Sequence, residues 1–194
     1  MADNIEQVKE LRDRTGISVM QCKKALEEAG GDMEKALIIL QKKGAEVAAK
    51  KSDRNLGAGV VTSYIHAGGN VGAMVELFCE TDFVSGNEEF KRVAYDIAMQ
   101  IAATNPKYLS IDDITPEDRE KAKEVFVKEV EGKPEEMKEK ILEGKLTSYF
   151  QEKVLLGQPF IKNPEQTIKD LVDGANQKFG ERIEVGNFIR FSIK

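Results

Sequence analysis

A β-hairpin is predicted by residues 59–80, which read GVVTSYIHAGGNVGAMVELFCE. Two runs rich in β-branched and aromatic residues, 59–66 and 71–80, lie on either side of the turn sequence Ala-Gly-Gly-Asn. This composition and spacing are typical of paired antiparallel strands. The end of the chain, RIEVGNFIRFSI at residues 182–193, has the same character and predicts a further strand. The β part of the fold is therefore expected to be a small antiparallel sheet.

The sequence before the hairpin has a helical pattern. Apolar residues recur at helical spacing in three short segments, which glycines and capping residues separate. The boundary signals are Gly16, Ser18, Gly30-Gly31, Asp32 and Gly44. Residues 1–44 are thus predicted to form a three-helix domain, with Gly44 ending its last helix. The polar, lysine-rich residues 45–56 are predicted to be a partly helical connector.

The sequence after the hairpin is mostly helical. A loop is predicted at residues 81–86, followed by a long helix that Asn87 caps and that stops before Asn105-Pro106. Three more helices are predicted: Pro116 to about Gly132, Pro134 onward with an interruption at Gly144, and Asn163-Pro164 to about Phe179. Residues 57–194 then form one core domain. The fold class is α+β, with the small antiparallel sheet packed on helices.

Composition excludes several classes of protein. The chain has 194 residues and a formal net charge of -5, without the clustered Lys and Arg that bind phosphates, so no direct nucleic-acid binding is expected. No apolar run approaches the ~20 residues of a membrane span, and the N-terminus lacks the apolar stretch of a signal peptide. Two cysteines without a disulfide framework indicate reduced thiols. These features predict a cytoplasmic protein with no membrane association.

Signals of catalysis are few. The sequence lacks the glycine-rich, serine-nucleophile and zinc-protease motifs of common enzymes. Its Cys and His residues are too few for a typical zinc site, so we expect no metal, no cofactor, no small-molecule substrate and no enzymatic activity. One enzymatic alternative is a thiol enzyme in which His66 activates Cys79. A small buried Cys79 is the simpler interpretation.

Two apolar features indicate a binding protein. Met20 and Ile38 fall off the core-facing stripes of their helices, which favours a docking patch, although isolated exposed apolar residues are common. Phe83, in the loop that follows the hairpin, has two interpretations. It either folds back onto the core or projects as an anchor for a partner, and the four residues Thr81-Asp82-Phe83-Val84 alone do not decide between them.

Short motifs along nearly the whole chain together resemble bacterial elongation factor Ts, the family of nucleotide-exchange factors of elongation factor Tu. The motifs are Leu11-Arg12-Asp13-Arg14-Thr15-Gly16, Cys22-Lys23-Lys24-Ala25-Leu26, Gly31-Asp32, Lys43-Gly44, Thr81-Asp82-Phe83-Val84, Gly157-Gln158-Pro159-Phe160 and Phe188-Ile189-Arg190-Phe191. No single motif is specific, but their combination and order are. The N-terminal domain is accordingly similar to a ubiquitin-associated (UBA) domain.

The resemblance implies a function in translation elongation and a set of site residues. The chain would promote GDP release by binding nucleotide-free elongation factor Tu and disturbing its Mg²⁺ and phosphate site. Asp82 and Phe83 would enter the nucleotide domain, with Phe83 as a wedge. The residues implied to contact the partner are Arg12, Val19, Met20, His66, Thr81, Asp82, Phe83 and Val84. A competing interpretation is a UBA-like adaptor that binds another protein through residues 1–44.

One departure from the family bears on the oligomeric state. Longer members carry two related halves, with the Thr-Asp-Phe-Val loop after the hairpin of the first half and a Ser-Tyr-x-His segment on the hairpin of the second. Here a single hairpin carries Ser63-Tyr64-Ile65-His66 and is followed by Thr81–Val84. The chain resembles a short form with one core copy. A homodimer joined through the core sheets is expected to restore the second half.

Overall fold

The computed structural model describes residues 2–130 and 134–193 and has the predicted α+β architecture. The helices are α1 (Ala2–Thr15), α2 (Val19–Glu28), α3 (Met33–Lys50), α4 (Asp82–Ser85), α5 (Glu88–Thr104), α6 (Pro116–Val130), α7 (Glu135–Lys153) and α8 (Ile168–Phe179). The strands are β1 (Ala58–Ile65), β2 (Val71–Cys79), β3 (Pro159–Phe160), β4 (Asn163–Thr167) and β5 (Glu184–Ser192). None of the described helices combines the length and the apolar character needed to cross a bilayer.

The first three helices form a bundle with a hydrophobic core of its own. Its boundaries follow the predicted signals, because Ser18 accepts a hydrogen bond from the Gln21 amide and Asp32 accepts one from the Lys35 amide. Gly16 has a φ of 68°, a left-handed conformation that favours glycine after a helix. The buried apolar residues of this core are Val8, Leu11, Ile17, Cys22, Ala25, Leu26, Ala36 and Leu40.

Helix α3 does not end at Gly44, so this part of the prediction is wrong. The helix continues to Lys50, which makes the first half of the predicted connector helical. Gly44 is buried where α3 packs on α8: a Cβ atom there would overlap the carbonyl oxygen of Asp173 and lie 2.8 Å from its carbonyl carbon. Glycine is therefore needed for the close approach of two helices rather than for a helix end.

Gly44→Ala is expected to lower the free energy of unfolding by about 1–3 kcal/mol, the usual effect of overpacking. Gly174→Ala, on α8, is the matched control. Its added Cβ atom would have no neighbour within 4 Å, so the higher helix propensity of alanine should stabilise the chain by up to about 1 kcal/mol. Urea unfolding measures both changes. Equal effects of the same sign would contradict the packing described for Gly44.

Strands β1, β2 and β5 form an antiparallel sheet with β2 in the middle. The predicted hairpin and the predicted terminal strand are thus confirmed. Alternate residues of β2, from Ala73 to Cys79, are buried on the side of the sheet that α5 covers. This inner side forms the main core with apolar residues of α5, namely Phe90, Ala94, Ile97, Ala98 and Ile101.

The opposite side of the sheet, which we call the outer sheet face, is apolar and open. The strand register places Met74 between Ser63 and Ile189, and the neighbouring row carries Ile65 and Phe191. The exposed apolar residues of this face are Val61, Ile65, Met74, Ile189 and Phe191, with 45% to 64% of their surface accessible. Exposed apolar residues that are contiguous on a sheet are typical of a protein interface.

The helices after the hairpin differ from the prediction at several boundaries. The predicted loop at residues 81–86 contains one helical turn, α4. Helix α7 passes Gly144 without a break, because a single interior glycine costs only about 1 kcal/mol and α7 packs along α6. Helix α6 is described as far as Val130, and Gly132, where its end is predicted, lies outside the described residues.

Helix α8 begins later than predicted. Asn163 and Pro164 belong to strand β4, and α8 begins at Ile168. Thr167 and Asp170 form a capping box there, in which each side chain accepts a hydrogen bond from the backbone amide of the other residue. The sequence contains two capping patterns four residues apart, and tertiary packing selects the second. The predicted end of this helix is confirmed.

Candidate functional site

Phe83 lies on the helical turn after the hairpin, which we call the Phe83 turn (residues 81–85). Thr81 caps the turn, and its hydroxyl accepts a hydrogen bond from the Val84 amide at 3.4 Å. Successive helical side chains point in different directions, and here Val84 is buried in the main core while Phe83 is 87% exposed. Thr81 and Asp82 are exposed as well. The interpretation in which Phe83 folds back onto the core is therefore wrong, and its ring projects from the surface.

A carboxylate that no sequence pattern indicates supports the Phe83 turn. Glu181, which follows Gly180 at the end of α8, accepts three hydrogen bonds from Glu80 and from Thr81, the first residue of the turn. Its Oε2 atom accepts from the amides of Glu80 and Thr81, at 3.0 and 3.1 Å. Its Oε1 atom accepts from the Thr81 hydroxyl at 2.6 Å. Residues 81 and 181 are 100 positions apart, so only the tertiary fold brings them together.

Glu80, the residue before the turn, is the centre of a second set of polar contacts. Its carboxylate accepts a hydrogen bond from the Arg182 amide at 2.7 Å and pairs with Lys51 at 3.1 Å and Arg54 at 3.3 Å. Burial alone would raise the pKa of this carboxyl group, but the hydrogen bond and the two cations lower its pKa overall. Glu80 is thus charged at neutral pH and joins the connector to the base of the Phe83 turn.

A second group of predicted contact residues lies on the N-terminal bundle. Arg12 is on the last turn of α1, and Val19 and Met20 begin α2. All three are exposed, and we call them the docking face. Ile38 is exposed as predicted, but it lines a groove with Ala29 at the other end of α2, about 13 Å along that helix from Met20. The structure therefore does not bring Ile38 together with the docking face.

His66, the remaining predicted contact residue, lies one position past β1, at the turn end of the hairpin. The Tyr64 hydroxyl is 3.1 Å from its Nδ1 atom, and the Tyr64 ring packs edge-on against Tyr95. The Phe83 turn is at the opposite end of the hairpin, because Ala58 pairs with Cys79 just before it. Eight residues of extended strand separate the two ends by about 26 Å. One chain therefore presents His66 and Phe83 far apart.

The same separation contradicts the interpretation in which His66 activates Cys79. Cys79 ends β2 beside the Phe83 turn, at the far end of the hairpin from His66. Its thiol is buried and contacts the Thr81 carbonyl oxygen at 3.3 Å, and burial raises the pKa of the thiol. Cys79 is thus a core side chain. Among the described residues, no group of three or more Cys, His, Asp and Glu side chains is arranged to hold a metal ion.

Comparison with known proteins leads to the family that the motifs resemble. The family model for Elongation factor TS matches residues 12–194. Over 194 residues the chain is 53% identical to elongation factor Ts of Thermodesulfovibrio yellowstonii, which covers 100% of this chain and 97% of that protein. It is 52% identical over 190 residues to elongation factor Ts of Carboxydothermus hydrogenoformans, covering 97% of this chain and 88% of that protein. Both matches include the bundle and the core.

Proposed function

This chain belongs to the elongation factor Ts family, and we propose that it accelerates the exchange of guanine nucleotide on elongation factor Tu in the cytoplasm. The observation that carries the proposal is the exposed Phe83 ring on its short turn beside the sheet. Aromatic rings of this kind are frequent anchors in protein interfaces. An adaptor that binds only through residues 1–44 would leave this ring without a role.

Exchange requires the factor to bind nucleotide-free elongation factor Tu more tightly than the nucleotide-bound form. By linkage, nucleotide then weakens binding of the factor by the same ratio, which lets GTP release it. In our proposal Asp82 and Phe83 enter the nucleotide domain on the Mg²⁺ side, and the Phe83 ring separates elements that hold the ion and the phosphates. Burial of one Phe side chain contributes roughly 1.5–3 kcal/mol, or about 10- to 150-fold in an equilibrium constant. A shift of ~10⁴ would need about 5.5 kcal/mol. For a shift that large, either His66 and the docking face contribute as well, or the loss of Mg²⁺ that the ring causes itself weakens the binding of GDP.

Release of fluorescent GDP from purified elongation factor Tu tests this function. Small amounts of the chain should accelerate release, and added GTP should dissociate the complex of the two proteins. No acceleration would contradict the proposal. Capture of a different protein through residues 1–44, without an effect on GDP release, would favour the adaptor.

We also propose that the active form is a homodimer joined through the outer sheet face. Phe83 and His66 lie at opposite ends of one hairpin, so a single chain does not present both to one small site. In two copies packed face to face, a two-fold axis perpendicular to the strands would bring the His66 end of one hairpin near the Phe83 turn of the other. The exposed apolar residues of the outer sheet face support this arrangement.

In this proposal each of the predicted segments of the chain has its own role. Residues 1–44 dock on elongation factor Tu, residues 45–56 connect, and residues 57–194 carry the Phe83 turn and the dimer interface. Helix α3 crosses the first of these boundaries. The bundle is also tied to the core by an ion pair of Arg14 with Glu165 at 2.8 Å. Docking by the bundle therefore also orients the core.

Met20→Asp is expected to weaken binding to elongation factor Tu by about 10- to 150-fold, because it removes an apolar contact and puts a charge in its place. The fold should be retained, since Met20 is 68% exposed. Ile38→Asp makes the same kind of change off the docking face and should bind like the parent chain. Titration calorimetry with nucleotide-free elongation factor Tu measures both affinities. Parent-like binding by Met20→Asp would show that the docking face is wrongly placed.

A further inference from the structure

We propose that Glu181 is a positioning residue, which holds the Phe83 turn in the orientation that the ring needs to enter a partner. This role rests on the proposed function, because the benefit of a fixed ring comes from its insertion into elongation factor Tu. Glu181 acts through Thr81 and the backbone of Glu80, to which it is hydrogen-bonded.

The Phe83 turn depends on support from outside itself. Helix α4 has four residues, and an isolated helical turn of that length is not stable in water. The Phe83 side chain is exposed, so it adds little to the order of the turn. Contacts on both sides of the ring supply this support, and the Cys79 thiol also donates to the Thr81 carbonyl oxygen. Val84 is buried in the main core after the ring, and Glu181 binds the residues before it.

The contacts of Glu181 fix both the backbone and the cap of the turn. Hydrogen bonds to a charged acceptor are shorter and stronger than neutral ones, and Glu181 accepts three of them. The Thr81 hydroxyl has one proton to donate, and it donates that proton to Glu181. Its oxygen lone pairs are then available to the Val84 amide, which is the capping interaction of α4. Glu181 thus orients the cap as well as the strand end.

The position of Glu181 is itself fixed. Helix α8 ends at Phe179, and the following Gly180, with a φ of 64°, turns the chain toward β5. Arg182 donates its amide to Glu80 and its guanidinium to the carbonyl oxygens of Ser52 and Arg54. The two segments therefore exchange hydrogen bonds, since amides 80 and 81 donate to Glu181 and amide 182 donates to Glu80. This reciprocal pairing joins the end of α8, the connector and the Phe83 turn.

A comparison of Glu181→Ala with Glu181→Gln tests the role in the full chain. Alanine removes every acceptor, whereas glutamine keeps a carbonyl oxygen for the two amides and can donate its NH₂ group to the Thr81 hydroxyl. We expect Glu181→Ala to lower the maximal rate of GDP release about tenfold, the equivalent of one lost hydrogen bond to a charged group. The concentration for half-maximal effect should change little, because the docking face is untouched. Glu181→Gln should retain most of the parent rate.

Two further variants keep the comparison decisive. Glu117→Ala removes the same charge from the exposed first turn of α6, where the Glu117 side chain pairs with Lys121; it should be as fast as the parent. Glu181→Asp keeps the charge but shortens the side chain by one methylene group, which moves the carboxylate oxygens away from the donors of Glu80 and Thr81. If Glu181→Ala fails to fold, Glu181→Asp should show the loss of rate in its place. Parent-like rates for a folded Glu181→Ala chain would overturn the proposal.

A spectroscopic measurement tests the role without elongation factor Tu. The chain contains no Trp, so Phe83→Trp places a single tryptophan, which can be excited selectively over tyrosine, at the position of the ring. In this background Glu181→Ala should lower the anisotropy of the reporter, while Glu181→Gln and Glu117→Ala should not. A general loss of stability would not produce this pattern in chains that circular dichroism shows to be folded. Equal anisotropy in all four chains would overturn the proposal.

A double-mutant cycle separates this inference from the proposed function. If Glu181 acts through Phe83, Glu181→Ala should slow GDP release much less in a Phe83→Ala chain than in the parent. Full additivity of the two effects would overturn the positioning role. If the parent chain does not accelerate GDP release, the proposed function fails, and the anisotropy still decides on Glu181. If Phe83→Ala is slow and Glu181→Ala is as fast as the parent, the proposed function stands and this inference fails.

Discussion

Phe83→Ala should reduce the acceleration of GDP release from elongation factor Tu by about 10- to 150-fold, the equivalent of one lost buried Phe side chain. The fold should be unchanged, because the ring is 87% exposed in the free chain and the neighbouring core residue Val84 is kept. Stopped-flow release of fluorescent GDP over a range of factor concentrations measures the effect. The maximal rate should fall more than the apparent affinity, since the docking face is intact.

Ile111→Ala is the matched control for this loss. Ile111 is 65% exposed on the short helical turn before α6, away from the Phe83 turn in sequence and in secondary structure. Its truncation should leave the release of GDP unchanged. A Phe83→Ala chain that is folded and fully active would show that the ring is not a wedge. A Phe83→Ala chain that unfolds would show that the ring supports the core.

Met74→Asp should convert the chain from dimers to monomers. Met74 lies at the centre of the outer sheet face, between Ser63 and Ile189, and the proposed dimer buries its side chain. Burial of an unpaired carboxylate costs several kcal/mol, so the dissociation constant of the dimer should rise at least about 100-fold. Sedimentation equilibrium measures this constant, with Val125→Asp on the exposed side of α6 as control. A parent chain that is monomeric at micromolar concentration would contradict the dimer.

Subunit mixing then tests whether the dimer builds a composite site. Phe83→Ala and His66→Ala homodimers should each be slow, because each lacks one residue at both sites. A heterodimer of the two chains contains one site with both residues intact, and this site should restore part of the GDP release. Heterodimers that are confirmed by mass but show no recovery would indicate that one subunit supplies both residues.

The parts of the fold that the sequence predicts correctly have local causes. The capping side chains of Ser18 and Asp32 bond to amides three residues away, and the hairpin alternates with a period of two residues. Gly44 and Gly144 show where local patterns fail. Both occur in helical sequence and both look like helix ends, but one meets the backbone of Asp173 and the other meets open space. Only residues distant in sequence distinguish these positions, and neither glycine ends a helix.

The candidate site likewise combines local features, which the sequence predicts, with tertiary features, which it does not. The residue types of the Phe83 turn are visible in the sequence, but the sequence does not show which of its two adjacent apolar residues is buried in the core. Val84 enters it and Phe83 does not, because the cap at Thr81 sets the rotation of the turn. That cap depends in turn on Glu181, 100 residues further along the chain. The exposure of Phe83 is therefore a property of the tertiary structure.

The unbroken helix α3, packed on α8 at Gly44, joins the bundle that carries the docking face to the core that carries the Phe83 turn. In the proposed complex, the bound docking face would hold the Phe83 ring near its target as a tethered group, at an effective concentration that the geometry of this connection sets. A rigid tether confines the ring to a small volume, so the ring can occupy its site even if its own affinity is low. The two contacts can also break one at a time. In the proposed complex, release of the factor would then proceed in two small steps instead of one large one.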